Sequence, residues 1–180
     1  DHYRHAVSID PASFKAWVNL GNCLLDLQRI EESITAFNEA LTAESSCFEA
    51  FISLSVARLK KGEFVLANES ARKAISIKPD SADAYLHLGL VLKEEGEVEE
   101  AIACYRKAIE LKPNFANALS ALAKCLMDDG RVFESLCAYE KCSQLNPWDP
   151  SNYESPAISC DSFWNSFGDL RLRKLAVDLY

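Results

Sequence analysis

Glycine and proline recur along this chain with a spacing of 34 residues. The two series are Gly62, Gly96 and Gly130, and Pro79, Pro113 and Pro147. Two residue types that share one period are hard to produce by chance, and a fixed period of about 20 to 50 residues is typical of repeat proteins. The period therefore predicts a stack of similar units, each of which buries its apolar face against its neighbours.

Apolar and small residues follow the same period. The columns of large residues are Trp17, Phe51, Tyr85 and Leu119, and Leu20, Leu54, Leu88 and Leu122. The column of small residues is Gly21, Ser55, Gly89 and Ala123, and a later column is Phe37, Ala71, Tyr105 and Tyr139. These columns divide the chain into four units, residues 14–47, 48–81, 82–115 and 116–149. Residues 1–13 match the end of a preceding unit.

Each unit is predicted to contain two helices. In the third unit, Tyr85, Leu88 and Leu92 have the spacing of one helical face. A turn follows at residues 96–98 (GEV), where glycine ends the first helix in the left-handed conformation. The second helix ends before a proline, which cannot extend it. In the first unit the turn QRI (28–30) has no glycine, so we expect it to be slightly strained.

The repeat pattern resembles that of the tetratricopeptide repeat family. The match is carried by W..LG..L…S…F..A in the first unit and Y..LG..L…A…Y..A….P in the third. The resemblance covers residues 1–149 and implies an all-α fold, a right-handed superhelix of helix-turn-helix repeats. The second unit departs most, because Arg58 and Ala71 replace a large apolar residue and an aromatic residue.

The glycine within the first helix of a unit has a structural interpretation. A glycine inside a helix costs about 1 kcal/mol relative to alanine. By analogy with the family, Gly21 is expected to pack toward Ser33 and Ala40, so that the two helices of the unit approach closely and tighter packing offsets this cost. A flexible hinge is the less favoured interpretation, because small residues recur at this position in every unit.

The repeat pattern ends after Pro147. Residues 148–162 contain two further prolines and several turn-forming residues, so a fifth unit is not expected. Residues 150–180 are interpreted as a linker followed by a helix that caps the array or begins another domain. Since the sequence starts within a helical pattern and ends without a stop signal, we expect it to be a segment of a longer protein.

Charge and composition exclude several classes of protein. The formal net charge is −8, whereas general nucleic-acid binding needs clustered basic residues. No apolar run reaches the roughly 20 residues of a membrane-spanning helix. The seven cysteines form no CxxC pair, so neither a disulfide framework nor a zinc ribbon is indicated. Cytosol or nucleus is therefore the expected compartment.

The sequence offers little catalytic chemistry. His2 and His5 could share one helical face, but they have no carboxylate or cysteine partner at metal-site spacing, so no metal site is predicted. The glycines serve the repeat, with Gly168 outside it, and no phosphate-binding loop is present. The acidic pairs Glu94–Glu95 and Glu99–Glu100 are expected to be solvated helix ends. We therefore predict no catalytic residues and no cofactor.

The resemblance implies a binding surface on the first helices. In the family these helices line a concave groove that receives a peptide. Transfer by register places Lys15 and Glu49 on this face, among others, and the residues predicted to bind the peptide are Val18, Asn19, Asn22, Ile52, Val56, Leu86, His87 and Leu90. Val18, Ile52 and Leu86 are 34 residues apart and could form one apolar stripe. They could equally complete the packing between adjacent first helices.

The predicted function is a non-catalytic scaffold that binds a protein or peptide partner. The alternative is the substrate-recruiting arm of a larger enzyme, for example a glycosyltransferase. A chaperone-binding role is disfavoured, because Val18 and Asp83 replace basic residues that would hold a terminal carboxylate. The asparagine ladder of the O-linked N-acetylglucosamine transferase is matched only at Asn19. Self-association through the repeat ends is possible.

Overall fold

The computed structural model describes residues 2–145, which form nine α-helices. They are α1 (His2–Ile9), α2 (Phe14–Asp26), α3 (Ile30–Ala43), α4 (Phe48–Lys61), α5 (Phe64–Ile77), α6 (Ala82–Glu95), α7 (Val98–Leu111), α8 (Ala116–Asp128) and α9 (Val132–Leu145). Helices α2 to α9 form four pairs. The predicted linker and capping helix of residues 150–180 lie outside the described residues.

Each helix packs against its neighbours in the sequence, so the pairs stack into a helical-repeat solenoid. The first helices of successive pairs also contact each other, α2 with α4, α4 with α6, and α6 with α8. The row of helices that approach most closely lies on the inner side of a curved stack. The first helices therefore line the inner side, and the second helices lie outside.

A ring from the second helix fills the space beside the glycine of the first. A β-carbon built at Gly21 would overlap the ring of Phe37, and one built at Gly89 would lie 2.6 Å from the ring of Tyr105. Phe37 and Tyr105 are both fully buried. The atoms nearest to Gly21 belong to Phe37, so the aromatic ring is what the missing side chain makes room for.

The second and fourth units have other residue types at these two positions. In the second unit Ser55 stands opposite Ala71, so a larger residue on the first helix accompanies the loss of the ring. In the fourth unit Ala123 is paired with Tyr139, which is only partly buried. Ala123 and Ser55 are both fully buried. The combination of a glycine with a fully buried ring is therefore found in the first and third units.

The turns end the first helices through residues in the left-handed conformation. Gly62 has a φ of 81°, and the amide of Glu63 donates to the Arg58 carbonyl over 2.9 Å. In the first unit Gln28 takes the glycine's place with a φ of 60°. The hydrogen bonds of that turn are the same as those of the second unit. A side chain in this conformation is strained, as the QRI sequence predicts.

Ion pairs connect second helices on the outer side. Three pairs have the same spacing of 28 residues: Arg4–Glu32, Arg72–Glu100 and Arg106–Glu134. At the equivalent positions between α3 and α5 the chain has Asn38 and Leu66, which cannot form such a pair. Exposed ion pairs contribute about 0–1 kcal/mol each, so the series supports the stacking without driving it.

We predict that Gly21→Ala lowers the stability of the protein. Helix propensity alone would raise it by about 1 kcal/mol. However, the added methyl group overlaps the fully buried ring of Phe37, and overpacking of this kind costs about 1–3 kcal/mol. The matched control is Ser55→Ala, which faces no ring and removes a buried unpaired hydroxyl group. Urea denaturation should show a loss for the first variant only; a gain for Gly21→Ala would contradict the packing described.

We predict that Gln28→Gly raises the stability of the protein. Glycine adopts the left-handed conformation without the cost of about 1–2 kcal/mol that other residues incur. Part of this gain is lost through the greater freedom of glycine in the unfolded chain. The net increase in the free energy of unfolding should be on the order of 0.5 kcal/mol. The reciprocal change Gly62→Ala should lower the free energy of unfolding. If Gln28→Gly lowered it by the same amount, this would argue against strain at Gln28.

Candidate functional site

The candidate site is the inner side of the solenoid, where the first helices lie next to one another. Six of the eight predicted groove residues, His87 among them, face this side with partial or full exposure. Asn19 and Asn22 are exposed, whereas Ile52, Val56 and Leu90 are half-buried. Polar atoms of α2 and apolar surface of α4 and α6 are therefore available to a ligand.

The predicted apolar stripe is only partly open. Val18 retains 8% exposure and packs with Ala40, Cys47 and Ala50, while Leu86 retains 7% and belongs to the largest core cluster. Both side chains serve the packing between units, because successive first helices are close enough to enclose them. Val18 and Leu86 therefore fit the alternative interpretation, in which they complete the packing between adjacent first helices. Ile52 is the member of the stripe that remains half-buried.

A pocket of about 330 Å³ opens between α2 and the start of α4. Its lining residues are Phe14, Lys15, Val18, Asn19, Cys47 and Glu49. Val18 and Cys47 are buried, and the polar side chains of the lining are exposed. The pocket therefore has apolar inner walls and a polar rim. Pockets that hold small ligands measure about 300–1,000 Å³, so this one suits one or two side chains.

The size of residue 47 explains why space remains here. Position 47 corresponds by register to Phe115, which is buried with 7% exposure before the first helix of the fourth unit. At the boundary before α6 the corresponding residue is Ser81, whose hydroxyl accepts a hydrogen bond from the Ala84 amide. Cysteine is much smaller than phenylalanine. The small side chain at this position leaves the volume that the aromatic ring occupies two units later.

The charges at the pocket rim are of opposite sign. Lys15 lies on α2, and Glu49 lies on the first turn of α4. Burial, as the largest cause, raises the pKa of the Cys47 thiol, and the neighbouring Glu49 carboxylate also raises it. The thiol is therefore protonated at neutral pH and is not an activated nucleophile. This arrangement is suited to binding rather than to covalent chemistry.

His87 is the titratable group of the predicted groove on α6. Burial lowers its pKa, and Asp83, one helical turn earlier, partly opposes this shift. The imidazole is consequently neutral at physiological pH, with one nitrogen able to donate and the other to accept a hydrogen bond. It can contact a ligand as a polar group without adding a positive charge to the groove.

Two lining residues of the pocket were not among the residues predicted from the sequence. Phe14 and Cys47 precede or begin first helices, outside the face transferred by register. Their columns do carry a signal, because position 14 is aromatic only in the first two units, and position 47 is aromatic only at Phe115. Such variation shows where the repeat changes, but not whether the change opens a space.

A metal site and a membrane-spanning helix are the remaining possibilities to compare with the structure. His2 and His5 are both exposed, and residues 2–145 contain no group of three or more metal-binding side chains that could hold an ion. Among the described helices none combines the length and apolar character needed to cross a membrane.

Comparison with known proteins places this architecture among helical repeat proteins. A family model described as tetratricopeptide repeat matches residues 14–46, and one described as TPR repeat matches residues 89–130. No curated protein sequence matches the chain significantly. Two stretches of the chain thus match tetratricopeptide repeat models, which confirms the resemblance and the all-α solenoid expected from the sequence.

Solved structures share the fold. The chain is similar to MamA with 26% identity and a TM-score of 0.71, over 81% of this chain and 85% of MamA. It is similar to the thermophilic TPR protein TTC0263 of Thermus thermophilus, with 23% identity and a TM-score of 0.75, over 84% and 83% of the two chains. It also matches YrrB, a TPR protein with an unusual peptide-binding site, with 20% identity and a TM-score of 0.69, over 99% and 92%. These findings support a general role as a protein-interaction scaffold.

We predict that His87 makes the fold less stable under mild acid. Its pKa is lower in the folded protein than in the unfolded chain, where it is near 6.5, so the unfolded chain binds the proton more tightly. The stability linked to His87 is therefore complete above about pH 6.5 and is lost as the pH falls through the folded-state pKa.

Denaturation at pH 7 and pH 5 measures this linkage. His87→Asn should lose less stability than the wild type between these two pH values. Asp83→Asn should lose more, because it removes the carboxylate that favours the charged imidazole. Identical pH dependence in the wild type and His87→Asn would show that the imidazole is equally solvated in the folded and unfolded states.

Proposed function

We propose that the chain binds an extended segment of a partner protein along the inner side of its first helices. One apolar side chain of that segment enters the pocket between α2 and α4. The segment then runs past Asn22 toward Ile52, Val56, His87 and Leu90. Its function is to hold a partner, with no catalytic step and no cofactor of its own.

The pocket is the observation that carries this proposal. Its inner walls are apolar at Val18 and Cys47, which favours an aliphatic or aromatic side chain. Its rim presents the amide of Asn19, which can both donate to and accept from a peptide backbone. The combination of an apolar cavity with a few polar groups is what peptide and small-molecule sites share.

The charges around the groove indicate the kind of segment that fits. Lys15 and Glu49 border the pocket with opposite signs, and Lys93 on α6 is paired with Asp128 on α8 over 2.6 Å. A ligand of strong single-sign charge would therefore gain little overall. Such a surface favours a segment with spaced apolar side chains and mixed or low charge.

The compartment and the class of partner follow from composition. Cys23, Cys47, Cys104, Cys125 and Cys137 are free thiols, and the chain has a net charge of −8. A reducing compartment, cytosol or nucleus, suits the first property, and a protein partner rather than a nucleic acid suits the second. Recruitment of a substrate to a catalytic domain elsewhere in a longer protein would use the same groove.

A pocket-filling variant tests the proposal. Cys47→Phe introduces the residue that the third unit carries at the same register, Phe115, so we expect the variant to fold and its ring to occupy the pocket. Peptides selected from a displayed random library on the wild-type protein should bind this variant about tenfold more weakly or worse, a loss of about 1.4 kcal/mol. Ser76→Phe, on the exposed surface of α5, is the control and should bind normally. Selected peptides that bind all three proteins equally would place the binding surface elsewhere.

A second pair of variants tests how far the ligand extends. Ile52 and Ser120 are both half-buried and are 68 residues apart, two repeat lengths. Ile52→Asp should weaken the binding of the selected peptides, because it places a charge beside the apolar part of the groove. Ser120→Asp should have little effect, since the fourth unit already has the polar residues Ser120 and Lys124 at the positions that Ile52 and Val56 occupy in the second unit. Equal losses from both variants would mean that the ligand covers the whole inner side.

A further inference from the structure

The buried core of the described chain does not follow the repeat boundaries. One large cluster contains residues of α5 to α9, from Ala71 to Ala138. Two smaller clusters contain residues of α2 and α3 together with Ala50, Leu54 and Ala57 of α4. In units one, three and four, the two helices of the unit share a cluster. Within residues 2–145, the second unit alone has its helices in different clusters.

The residues between α4 and α5 explain the separation. Ala71 replaces the ring that fills the crossing in the other units, and Arg58 occupies the position of Leu24, Leu92 and Leu126. An Nη nitrogen of Arg58 donates to the Leu66 carbonyl over 3.2 Å and to the Ser70 hydroxyl over 2.9 Å. In the second unit, polar contacts of Arg58 therefore replace the apolar packing that leucine provides at this position in the other units.

These polar contacts are incomplete. In the described region, three buried side-chain atoms lack a hydrogen-bond partner: the hydroxyl of Ser55, the Nε of Arg58 and the hydroxyl of Tyr105. The first two lie at the α4–α5 contact. A buried polar group without a partner weakens the contact that encloses it. The α4–α5 contact therefore combines a missing ring with two unsatisfied polar atoms.

The outer ion pairs are interrupted at the same place. The pairs with 28-residue spacing connect α1 with α3, α5 with α7, and α7 with α9. Asn38 on α3 and Leu66 on α5 stand at the corresponding positions of the remaining junction. The apolar core and the series of ion pairs thus both break between the helices up to α4 and the helices from α5 onward.

We propose that the described chain consists of two cooperative blocks, α1–α4 and α5–α9, which open against each other at the α4–α5 contact. In a stack of repeats, stability is a sum of terms for units and for contacts between neighbours, so the weakest contact separates the regions that unfold together. The blocks remain joined by the turn at Gly62, by the contact between α4 and α6, and by the ion pair over 2.7 Å between Lys61 of α4 and Glu63, which precedes α5.

The break has a consequence for the groove, and this consequence rests on the proposed function. Asn19, Asn22, Ile52 and Val56 belong to the first block, whereas His87 and Leu90 belong to the second. A ligand that contacts both groups must fix the two blocks relative to each other. Ordering of this kind makes binding sensitive to the stability of the α4–α5 contact.

Hydrogen exchange of the ligand-free protein tests the two blocks, so the result does not depend on the proposed function. Phe37→Leu loosens the first block, and Tyr105→Leu is its matched counterpart in the second. Phe37→Leu should accelerate exchange by about tenfold or more in α2, α3 and α4, but by less than about twofold in α6 and α7. Tyr105→Leu should accelerate exchange in α5 to α8 and leave α4 nearly unchanged.

The response of α4 and α5 decides the outcome. If α4 responds with α3 while α5 responds with α6, the blocks are as proposed. If α4 and α5 respond together to either substitution, the protein is a single cooperative unit or divides at its repeat boundaries, and the proposal is overturned.

A repaired second unit provides an independent test. The triple change Ser55→Gly, Arg58→Leu and Ala71→Phe gives the second unit the residue types that the first unit has at Gly21, Leu24 and Phe37. In this background Phe37→Leu should also accelerate exchange in α5 to α7, because the two blocks are now coupled. Blocks that stay independent in the repaired protein would show that these three residues are not the cause of the break.

Discussion

The contact of an aromatic ring with a missing side chain is the interaction on which the rest of this structure depends. Phe37 against Gly21 and Tyr105 against Gly89 determine how closely the two helices of a unit approach. The distance between the helices sets the shape of each unit, and repetition of that shape at intervals of 34 residues makes a solenoid with the first helices inside. The cost of a glycine within a helix is offset by the packing of a fully buried ring.

Departures from the repeat, rather than the repeat itself, produce the features relevant to function. The aliphatic residues that recur at Val18 and Leu86 are drawn into the packing between units, so they offer little surface to a ligand. The pocket exists because Cys47 is small at a position where the third unit has Phe115. The weak contact within the second unit exists because Ala71 and Arg58 replace a ring and a leucine. Each feature follows from one or two side chains in an otherwise regular stack.

The strain at Gln28 and the unsatisfied atoms at Ser55 and Arg58 lie in the first two units, the same part of the chain that forms the pocket. The third unit has glycine, leucine and tyrosine at the positions of the family pattern, and its one unsatisfied buried atom among the described residues is the hydroxyl of Tyr105. Stability is therefore distributed unevenly along the stack. A binding region that overlaps the less regular units can adjust to a ligand, while the regular units provide a firm support.

The sequence by itself determined the 34-residue repeat, the two helices of each unit, the left-handed turns and the small-residue column. These features depend on residues close together in the chain or on the period, and both can be read without coordinates. Tertiary structure alone decided that Phe37 is the partner of Gly21, that Val18 and Leu86 are enclosed, and that Phe14 and Cys47 border a pocket. It also decided that the core divides inside the second unit. Burial and volume depend on how near the neighbouring helices come, and that distance results from all the contacting side chains together.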